Sequence, residues 1–419
     1  MTKSGFRSLL REHRVELALF AFTLVAYALS SGSMLLRQSL GPHFVYQADA
    51  FLHGQLHLTV RPPNLNDWVF ENGRWFVSFP PFPAVLMMPF VAIFGRSFND
   101  TAFTVVFGAL NVALLYRLLR RLGEMGEEGG APRRTLDHAA HALVFGFGTL
   151  AWSCAIRGEV WFTAETVGVT LTLLYLLASL RARHPILAGA LVACAAITRP
   201  PLAFSAIFFA LEAVFEEGPV GIQELREVAR DPVRRARAAR KLLLFCLPIL
   251  AVAVPMAWMN IARFGSPAEF GHGHLYANRV NQQIQRYGLF HYQYLERNLH
   301  AAFTRLPEVT FHPFHIGFNG EGLSLLITTP LFALLLWPRQ KPRLHRALWI
   351  TAAAVAVPGF FYQNSGWYQF GFRFSLDYTP YLIVLLALGR RPMTKAWWAL
   401  ASAGVAVNAW GAAVFNRLI

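Results

Sequence analysis

The feature that most constrains this sequence is the recurrence of long apolar runs. Runs of roughly 15 to 22 residues follow one another from residue 16 to the C-terminal end, a length that suits helices crossing a bilayer. Only 15% of the residues are charged, whereas soluble domains contain about a quarter. The runs are continuous, and the strands of a transmembrane β-barrel would alternate instead. The sequence therefore predicts an all-α, polytopic helical membrane protein.

The positive charge predicts how these helices are oriented. The formal net charge is +15, but Lys and Arg lie in short clusters between the apolar runs, as in membrane proteins that retain positive loops in the cytoplasm. We therefore expect no nucleic-acid partner. About 11 spans, with a cytoplasmic N-terminus that contains Lys3, Arg7, Arg11 and Arg14, satisfy this bias. The predicted spans are 16–36, 101–119, 139–155, 161–180, 185–198, 202–215, 242–262, 323–337, 347–362, 374–388 and 397–414.

Two long outer segments interrupt the spans, at residues 38–100 and 263–321. The first is rich in aromatic residues and contains Asp49 and a Pro80-Pro81 turn. Residues 83–95 follow this turn and form an apolar run of about 13 residues, which is too short to cross a bilayer. This run predicts an interfacial helix on the outer surface. We expect a single transmembrane domain over residues 1–419, with no separate soluble domain.

Five segments of the chain resemble a known family. They are Tyr46-Gln-Ala-Asp49, Trp75-Phe-Val-Ser-Phe-Pro-Pro81, Gly189-Ala-Leu-Val-Ala-Cys-Ala-Ala-Ile-Thr-Arg-Pro-Pro201, Arg263-Phe-Gly-Ser-Pro-Ala-Glu-Phe-Gly271 and Trp367-Tyr-Gln-Phe-Gly-Phe-Arg-Phe-Ser-Leu-Asp377. With the outer loop and the interfacial helix, they resemble the GT-C superfamily of integral membrane glycosyltransferases. The chain is similar to bacterial relatives of protein O-mannosyltransferases and of the lipid A aminoarabinose transferase. The resemblance implies a polyprenyl-phosphate-linked sugar as the donor.

Three acids are candidates for catalysis. Asp49 corresponds by resemblance to the family's catalytic acid, and partial desolvation near a membrane makes a carboxylate more basic. Its alternative role is that of a loop acid or helix cap. Glu159 and Glu165 lie at the outer end of the hairpin formed by the third and fourth predicted spans. Either is a candidate second acid, and the alternative is a structural partner for a nearby arginine.

Arginines at the outer face are candidates for binding the donor's phosphate, because a guanidinium can grip a phosphate with two hydrogen bonds. Arg373, Arg199 and Arg263 are these candidates. Asp377 follows Arg373 by one helical turn, so the two side chains also suit an ion pair that only fixes the helix. Arg199 and Arg263 also suit contact with lipid headgroups.

Two histidines, His272 and His274, alternate in Gly271-His-Gly-His-Leu275. Without a neighbouring acid they make a weak metal site, so we predict no metal there. Polar contact with a sugar or phosphate is the alternative. No tightly bound cofactor is expected.

These observations favour a glycosyltransferase that moves a sugar from a polyprenyl-phosphate donor to an acceptor hydroxyl, with Asp49 as general base. The expected location is the outer, periplasmic side of the bacterial cytoplasmic membrane. Its expected partners are the lipid-linked donor, membrane lipids and an acceptor protein, lipid or glycan. The alternative is a permease or flippase for a lipid-linked sugar. Ionisable residues cluster at one membrane face, and this asymmetry favours a one-sided active site over a transport route.

Overall fold

The computed structural model describes residues 13–130, 133–275 and 278–415, so the predicted cytoplasmic residues Lys3, Arg7 and Arg11 lie outside it. The chain is 68% helical. Its first half contains α1 (Arg14–Ser31), α2 (His43–Leu52), β1 (Trp68–Glu71), β2 (Arg74–Val77), α3 (Phe82–Phe94), α4 (Asp100–Glu124), α5 (Thr135–Phe147), α6 (Ala151–Ala155), α7 (Val160–Ser179), α8 (Pro185–Ala196) and α9 (Ala206–Val214).

The second half is also mainly helical. It contains α10 (Ile222–Arg230), α11 (Pro232–Phe264), α12 (Asn278–Tyr287), α13 (Leu295–Phe303), β3 (Glu308–Phe311), β4 (Phe314–Gly317), α14 (Leu325–Thr328), α15 (Leu344–Phe361), α16 (Thr379–Leu388) and α17 (Lys395–Phe415). Short 3₁₀ helices cover Pro200–Ser205, Pro330–Leu336 and Arg373–Asp377.

Several helices are long and apolar enough to span a membrane. Among the described residues six meet this measure, namely α1, α4, α7 with its 3₁₀ extension, α11, α15 and α17, and four further apolar helices are shorter. The prediction of a helical multi-pass membrane protein is confirmed. The predicted number of 11 spans stays a prediction.

Burial separates the central helices from the peripheral ones. In the most apolar stretch of α7, 83% of the residues are buried inside the protein, against 11% in α11. Helix α7 packs against α4, α8 and the 3₁₀ helix Arg373–Asp377. It therefore lies at the centre of the fold, and it places the residues of its first turns next to those of the 3₁₀ helix.

Three predicted spans are not continuous helices. Residues 139–155 divide into α5 and α6 at Gly148, residues 323–337 divide before Pro330, and residues 374–388 divide before Pro380. The breaks before Pro330 and Pro380 have a common cause, because proline has no N–H to donate and its ring clashes with the preceding turn. Hydropathy detects the apolar run in each case, but it does not detect the break.

The prediction of an all-α chain is wrong in one respect, because each of the two segments predicted to be outer, 38–100 and 263–321, contains an antiparallel hairpin. Strand β1 pairs with β2 and β3 pairs with β4. Asn72 and Gly73 form the first turn, with φ of 50° and 75°. An Asn-Gly turn with two positive φ angles matches the twist of the strands that it joins.

A cluster of charged side chains lies at the C-terminal end of α7. Arg343 donates to Glu212 Oε1 at 2.7 Å and to Glu127 Oε2 at 3.0 Å, and Arg181 also pairs with Glu127. These contacts join the segment after α4 to α9 and to the start of α15. Both glutamates are buried, so each needs a cationic partner.

Helices α8 and α11 approach each other closely at Gly189. A Cβ atom at this position would lie 2.1 Å from the Phe245 carbonyl oxygen and 2.7 Å from Pro248 Cγ. Because the nearest atom is backbone, a methyl group can be accommodated only if the helices separate. The small residue therefore sets the distance between the two helices.

We predict that Gly189→Ala destabilises the protein by about 1–3 kcal/mol, the usual cost of overpacking. Thermal unfolding in detergent measures this change. Gly359→Ala is the matched control, since a Cβ there has no atom within 4 Å. Equal melting temperatures for the two variants would contradict the proposed close contact.

Candidate active site

Two adjoining cavities lie beside the first turns of α7. We call the smaller one, of about 260 Å³, the apolar cavity, because Phe79, Pro80, Pro200, Pro201, Val355, Pro358, Tyr362 and Phe374 are among its lining residues. The larger one, of about 720 Å³, is the polar cavity, and its lining includes Asn64, Asn66, Gln283, Glu321, Gln363, Asn364 and Ser365. Asp67, Trp161, Gln363, Asn364 and Arg373 line both. The junction between the cavities therefore contains an acid and an arginine.

Four charged side chains form a buried cluster at one side of this junction. Arg373 Nη1 donates to Glu165 Oε1 at 2.7 Å. Arg199 donates to both oxygens of Asp377, at 2.5 and 2.8 Å, and its Nη1 lies 3.6 Å from Glu165 Oε1. Two cations and two anions balance, as expected where buried charges must be paired. Arg199, Arg373 and Asp377 also line the apolar cavity.

The cluster does not contain the Arg373–Asp377 ion pair that the sequence analysis gave as the alternative role of these residues. These residues begin and end a 3₁₀ helix, in which side chains three positions apart are aligned and those four positions apart are not. Each binds a partner from elsewhere in the chain, Glu165 for Arg373 and Arg199 for Asp377. All four residues were candidates from the sequence, and the structure brings them together.

Glu159 has a different environment from Glu165. Both of its oxygens accept hydrogen bonds from Arg157, at 2.7 and 3.1 Å, and both residues are buried. Arg157 also lies over the rings of Phe162 and Phe415. Glu159 is therefore a structural partner of an arginine, which was the alternative to a catalytic role in the sequence analysis. It also lines the polar cavity.

Asp67 is an acid at the junction of the cavities that the sequence analysis did not identify. It lines both cavities, and its Oδ2 accepts a hydrogen bond from Trp161 Nε1 at 3.0 Å. Its φ of 58° lies in the left-handed region, which Asp and Asn tolerate better than most residues. Non-glycine residues in this region often occur at functional sites.

Hydrogen bonds fix the turn that contains Asp67. Asn64 Oδ1 accepts from the Asn66 N–H at 3.0 Å and from Trp68 Nε1 at 3.1 Å. His43 Nε2 lies 3.0 Å from the Asn66 carbonyl oxygen, and its ring stacks on Trp68 with centroids 3.8 Å apart. Burial lowers the pKa of His43 to about 4, so its ring is neutral at pH 7. A neutral ring with its proton on Nε2 donates to this carbonyl.

Burial also determines the acid–base character of Asp67. Burial raises the pKa of Asp67 above its ordinary value, although the hydrogen bond from Trp161 and the charge of Arg373 both lower it. A carboxylate with a raised pKa is a stronger base once it has lost its proton. Perturbed acids that line a cavity are candidates for a functional role.

Comparison with solved structures identifies the fold. The chain is similar to ArnT from Cupriavidus metallidurans, whose structure was determined with bound undecaprenyl phosphate, with a TM-score of 0.51 and 15% identity over 93% of this chain and 63% of that one. The chain shares the fold of ArnT, which is a GT-C glycosyltransferase. It also matches the archaeal oligosaccharyltransferase AglB from Archaeoglobus fulgidus, with a TM-score of 0.46 and 15% identity over 95% of this chain and 56% of that one. It spans less than two thirds of each of these proteins. No protein-family model and no curated protein sequence matches it.

Within this fold, Asp49 lies outside the lining of both cavities. It is a buried residue of α2. Its Oδ2 accepts from Thr59 Oγ1 at 2.6 Å and from Arg96 Nη1 at 3.3 Å. The carboxylate therefore joins α2 to the segment after α3, and its assignment as the base stays a prediction.

The two candidate histidines, His272 and His274, have different surroundings. His272 lines the apolar cavity, and burial lowers its pKa to about 4, so it offers a neutral ring. His274 Nδ1 lies 3.0 Å from Glu71 Oε2 and lines neither cavity. Arg263, the third arginine candidate, donates to the Val77 carbonyl at 3.0 Å and is not a lining residue.

Metal-ligating side chains do not converge in the part of the chain that the structure describes. Within it, no group of three or more His, Cys, Asp or Glu side chains is positioned to hold an ion. The polar groups that line the cavities include the guanidinium groups, Asp67 and neutral amides. Such groups suit the binding of a phosphate and a polyhydroxylated ligand.

We predict that Asp377→Asn destabilises the protein by about 3–5 kcal/mol, since removing one partner of a buried pair leaves a charge uncompensated. Glu124→Gln is the matched control, because the Glu124–Arg121 pair is 43–45% exposed and such pairs contribute about 1 kcal/mol or less. Thermal unfolding in detergent measures both changes. Similar losses would indicate that the cluster is solvated.

Proposed function

We propose that the protein is a glycosyltransferase that transfers a sugar from a polyprenyl-phosphate donor to an acceptor hydroxyl. The observation that carries this proposal is the junction of an apolar and a polar cavity, where Asp67 and Arg373 line both. The prenyl chain occupies the apolar cavity, and the sugar and the acceptor occupy the polar one. The likeness to ArnT, whose structure contains undecaprenyl phosphate, supports a lipid phosphate as the donor.

Asp67 acts as the general base in this proposal. It removes the proton from the acceptor hydroxyl while the oxygen attacks the anomeric carbon, and the bond from that carbon to the phosphate oxygen breaks. One displacement inverts the configuration at the sugar. Arg373 and Arg199 stabilise the negative charge of the departing phosphate, as fixed cations do at low-dielectric sites. Glu165 and Asp377 hold the two guanidinium groups in position.

The proposed membrane topology follows from the clustering of Lys and Arg in alternate loops. The chain forms one GT-C-like transmembrane domain of about 11 spans, with the N-terminus in the cytoplasm of a bacterium. The residues between the predicted spans 1 and 2, which include Asp67, then lie on the periplasmic side. Transfer takes place at the outer face of the cytoplasmic membrane.

We predict that Asp67→Asn lowers the release of polyprenyl phosphate by about 100-fold or more, the usual contribution of a positioned base. The measurement uses the purified chain in nanodiscs with a panel of polyprenyl-phosphate sugars, and mass spectrometry of the free polyprenyl phosphate. Asp49→Asn is the matched control and should retain most of the activity. Both variants should unfold at temperatures close to that of the wild type.

The outcomes distinguish the base from the function. A loss in Asp49→Asn with full activity in Asp67→Asn would restore Asp49 as the base. Movement of a labelled donor across the bilayer, with no release by the wild type from any donor, would support the permease or flippase alternative and would contradict glycosyl transfer.

We also predict a specific pH dependence. Only the ionised carboxylate accepts a proton, so kcat/KM should fall as the pH decreases through the pKa of Asp67. Because that pKa is raised, the midpoint should lie above about 3.9, the value for an ordinary aspartate. A rate profile measured in His272→Gln should retain this midpoint. A midpoint that disappears in His272→Gln would assign it to the histidine instead.

A further inference from the structure

Helix α11 has a continuous exposed apolar stripe. Leu243, Leu247, Leu250, Val254, Trp258 and Ile261 are spaced three or four residues apart and are 51–67% exposed. This spacing places them on one face of the helix. From Leu243 to Ile261 the stripe is about 27 Å long, close to the ~30 Å hydrocarbon core of a bilayer. The stripe is therefore the lipid-facing side of the helix.

The same helix extends well beyond this stripe at its N-terminal end. It begins at Pro232, and the line of the stripe continues through Arg240 to Val233, which is 64% exposed. Arg240 precedes Leu243 in the chain and lies about 4.5 Å from it along the helix axis. It therefore lies at the level of the lipid headgroups, and Val233 lies about 10 Å further out.

Helix α10 packs beside these first turns of α11. Ile222 is 72% exposed and Leu225 is 49% exposed, whereas Val228 is buried against the protein. At helical spacing Ile222 and Leu225 share one face, and Arg226 and Arg230 lie along its edge. An exposed apolar face bordered by arginines is typical of a helix at the surface of a bilayer.

The charges of this region divide into two groups. Arg234, Arg237 and Lys241 form ion pairs with Glu224, Glu217 and Glu216. In contrast, Arg226, Arg230, Arg235 and Arg240 are exposed. No ion pair of these four is found in the parts of the chain that the structure describes. The cationic groups that remain available are those nearest the apolar face of α10 and the stripe of α11.

We propose that α10 and the first turns of α11 form a binding surface for the anionic phospholipids of the adjacent leaflet. Arg226, Arg230, Arg235 and Arg240 contact the headgroup phosphates, and Ile222 and Leu225 enter the boundary of the acyl chains. The occupant is a lipid because this surface continues the lipid-facing stripe of α11 without interruption. Basic clusters directly beside a transmembrane helix bind anionic lipids in this way. The proposal does not depend on Asp67 or on the transfer reaction.

Native mass spectrometry of the full chain in detergent, with added phosphatidylglycerol or phosphatidylcholine, tests this surface. The wild type should retain phosphatidylglycerol in preference to phosphatidylcholine. We expect Arg226→Gln/Arg230→Gln and Arg235→Gln/Arg240→Gln each to lower this preference about fivefold or more, since each juxtamembrane arginine contributes to the attraction. Arg61→Gln/Arg74→Gln is the matched control, because it removes two exposed arginines from the first outer segment.

Three results would overturn the proposal. The first is equal retention of the two lipids by the wild type. The second is an equal loss of preference in the control variant. The third is displacement of the phosphatidylglycerol by excess inorganic phosphate, which would indicate an anion site rather than a lipid surface. The melting temperatures of the variants should be close to that of the wild type. A loss of bound lipid then reflects the altered surface and not unfolding of the protein.

Discussion

The buried cluster of Glu165, Arg373, Arg199 and Asp377 is the interaction on which the rest of the site depends. A charge removed from water is stable only beside a partner, so each of these side chains fixes the position of another. The pairs join α7 to the chain after α8 and to the 3₁₀ helix before α16. Because Arg373 also lines both cavities, the cluster determines where the two cavities meet.

A second constraint acts from the opposite side of the junction. The turn at Asn64–Asp67 is fixed by side-chain hydrogen bonds and by the stacking of His43 on Trp68. Trp161 then connects this turn to the start of α7. The carboxylate of Asp67 is thus held within a cavity wall in a backbone conformation that few residues adopt. A rigid, partly desolvated carboxylate beside a paired guanidinium is suited to moving a proton without solvent reorganisation.

Much of this arrangement is predictable from the sequence, and the rest fails for identifiable reasons. Apolar runs and charge clusters predict a helical membrane protein, because both reflect the solvent around each segment. They do not detect the breaks before Pro330 and Pro380, since composition averages over a window. The first hairpin did have a signal, Asn72-Gly73 between two aromatic segments. The sequence also identified all four residues of the cluster. It did not predict which side chains form ion pairs, because ion pairs between distant segments depend on packing.

Asp67 shows a different limit. The segment Pro62-Pro63-Asn64-Leu-Asn66-Asp67 indicates a tight turn, and acids in turns are usually ordinary surface residues. Only the structure shows that this turn lines a cavity. Asp49, in contrast, was selected for its place in the sequence, and its contacts with Thr59 and Arg96 are those of an acid that joins two segments.

The most direct test of the central claim is a cryo-electron microscopy structure of the chain with bound undecaprenyl phosphate. The account predicts that the phosphate lies within hydrogen-bond distance of Arg373 or Arg199, beside Asp67, with the prenyl chain in the apolar cavity. A phosphate bound beside Asp49 and Arg96, with both cavities free of lipid, would contradict it.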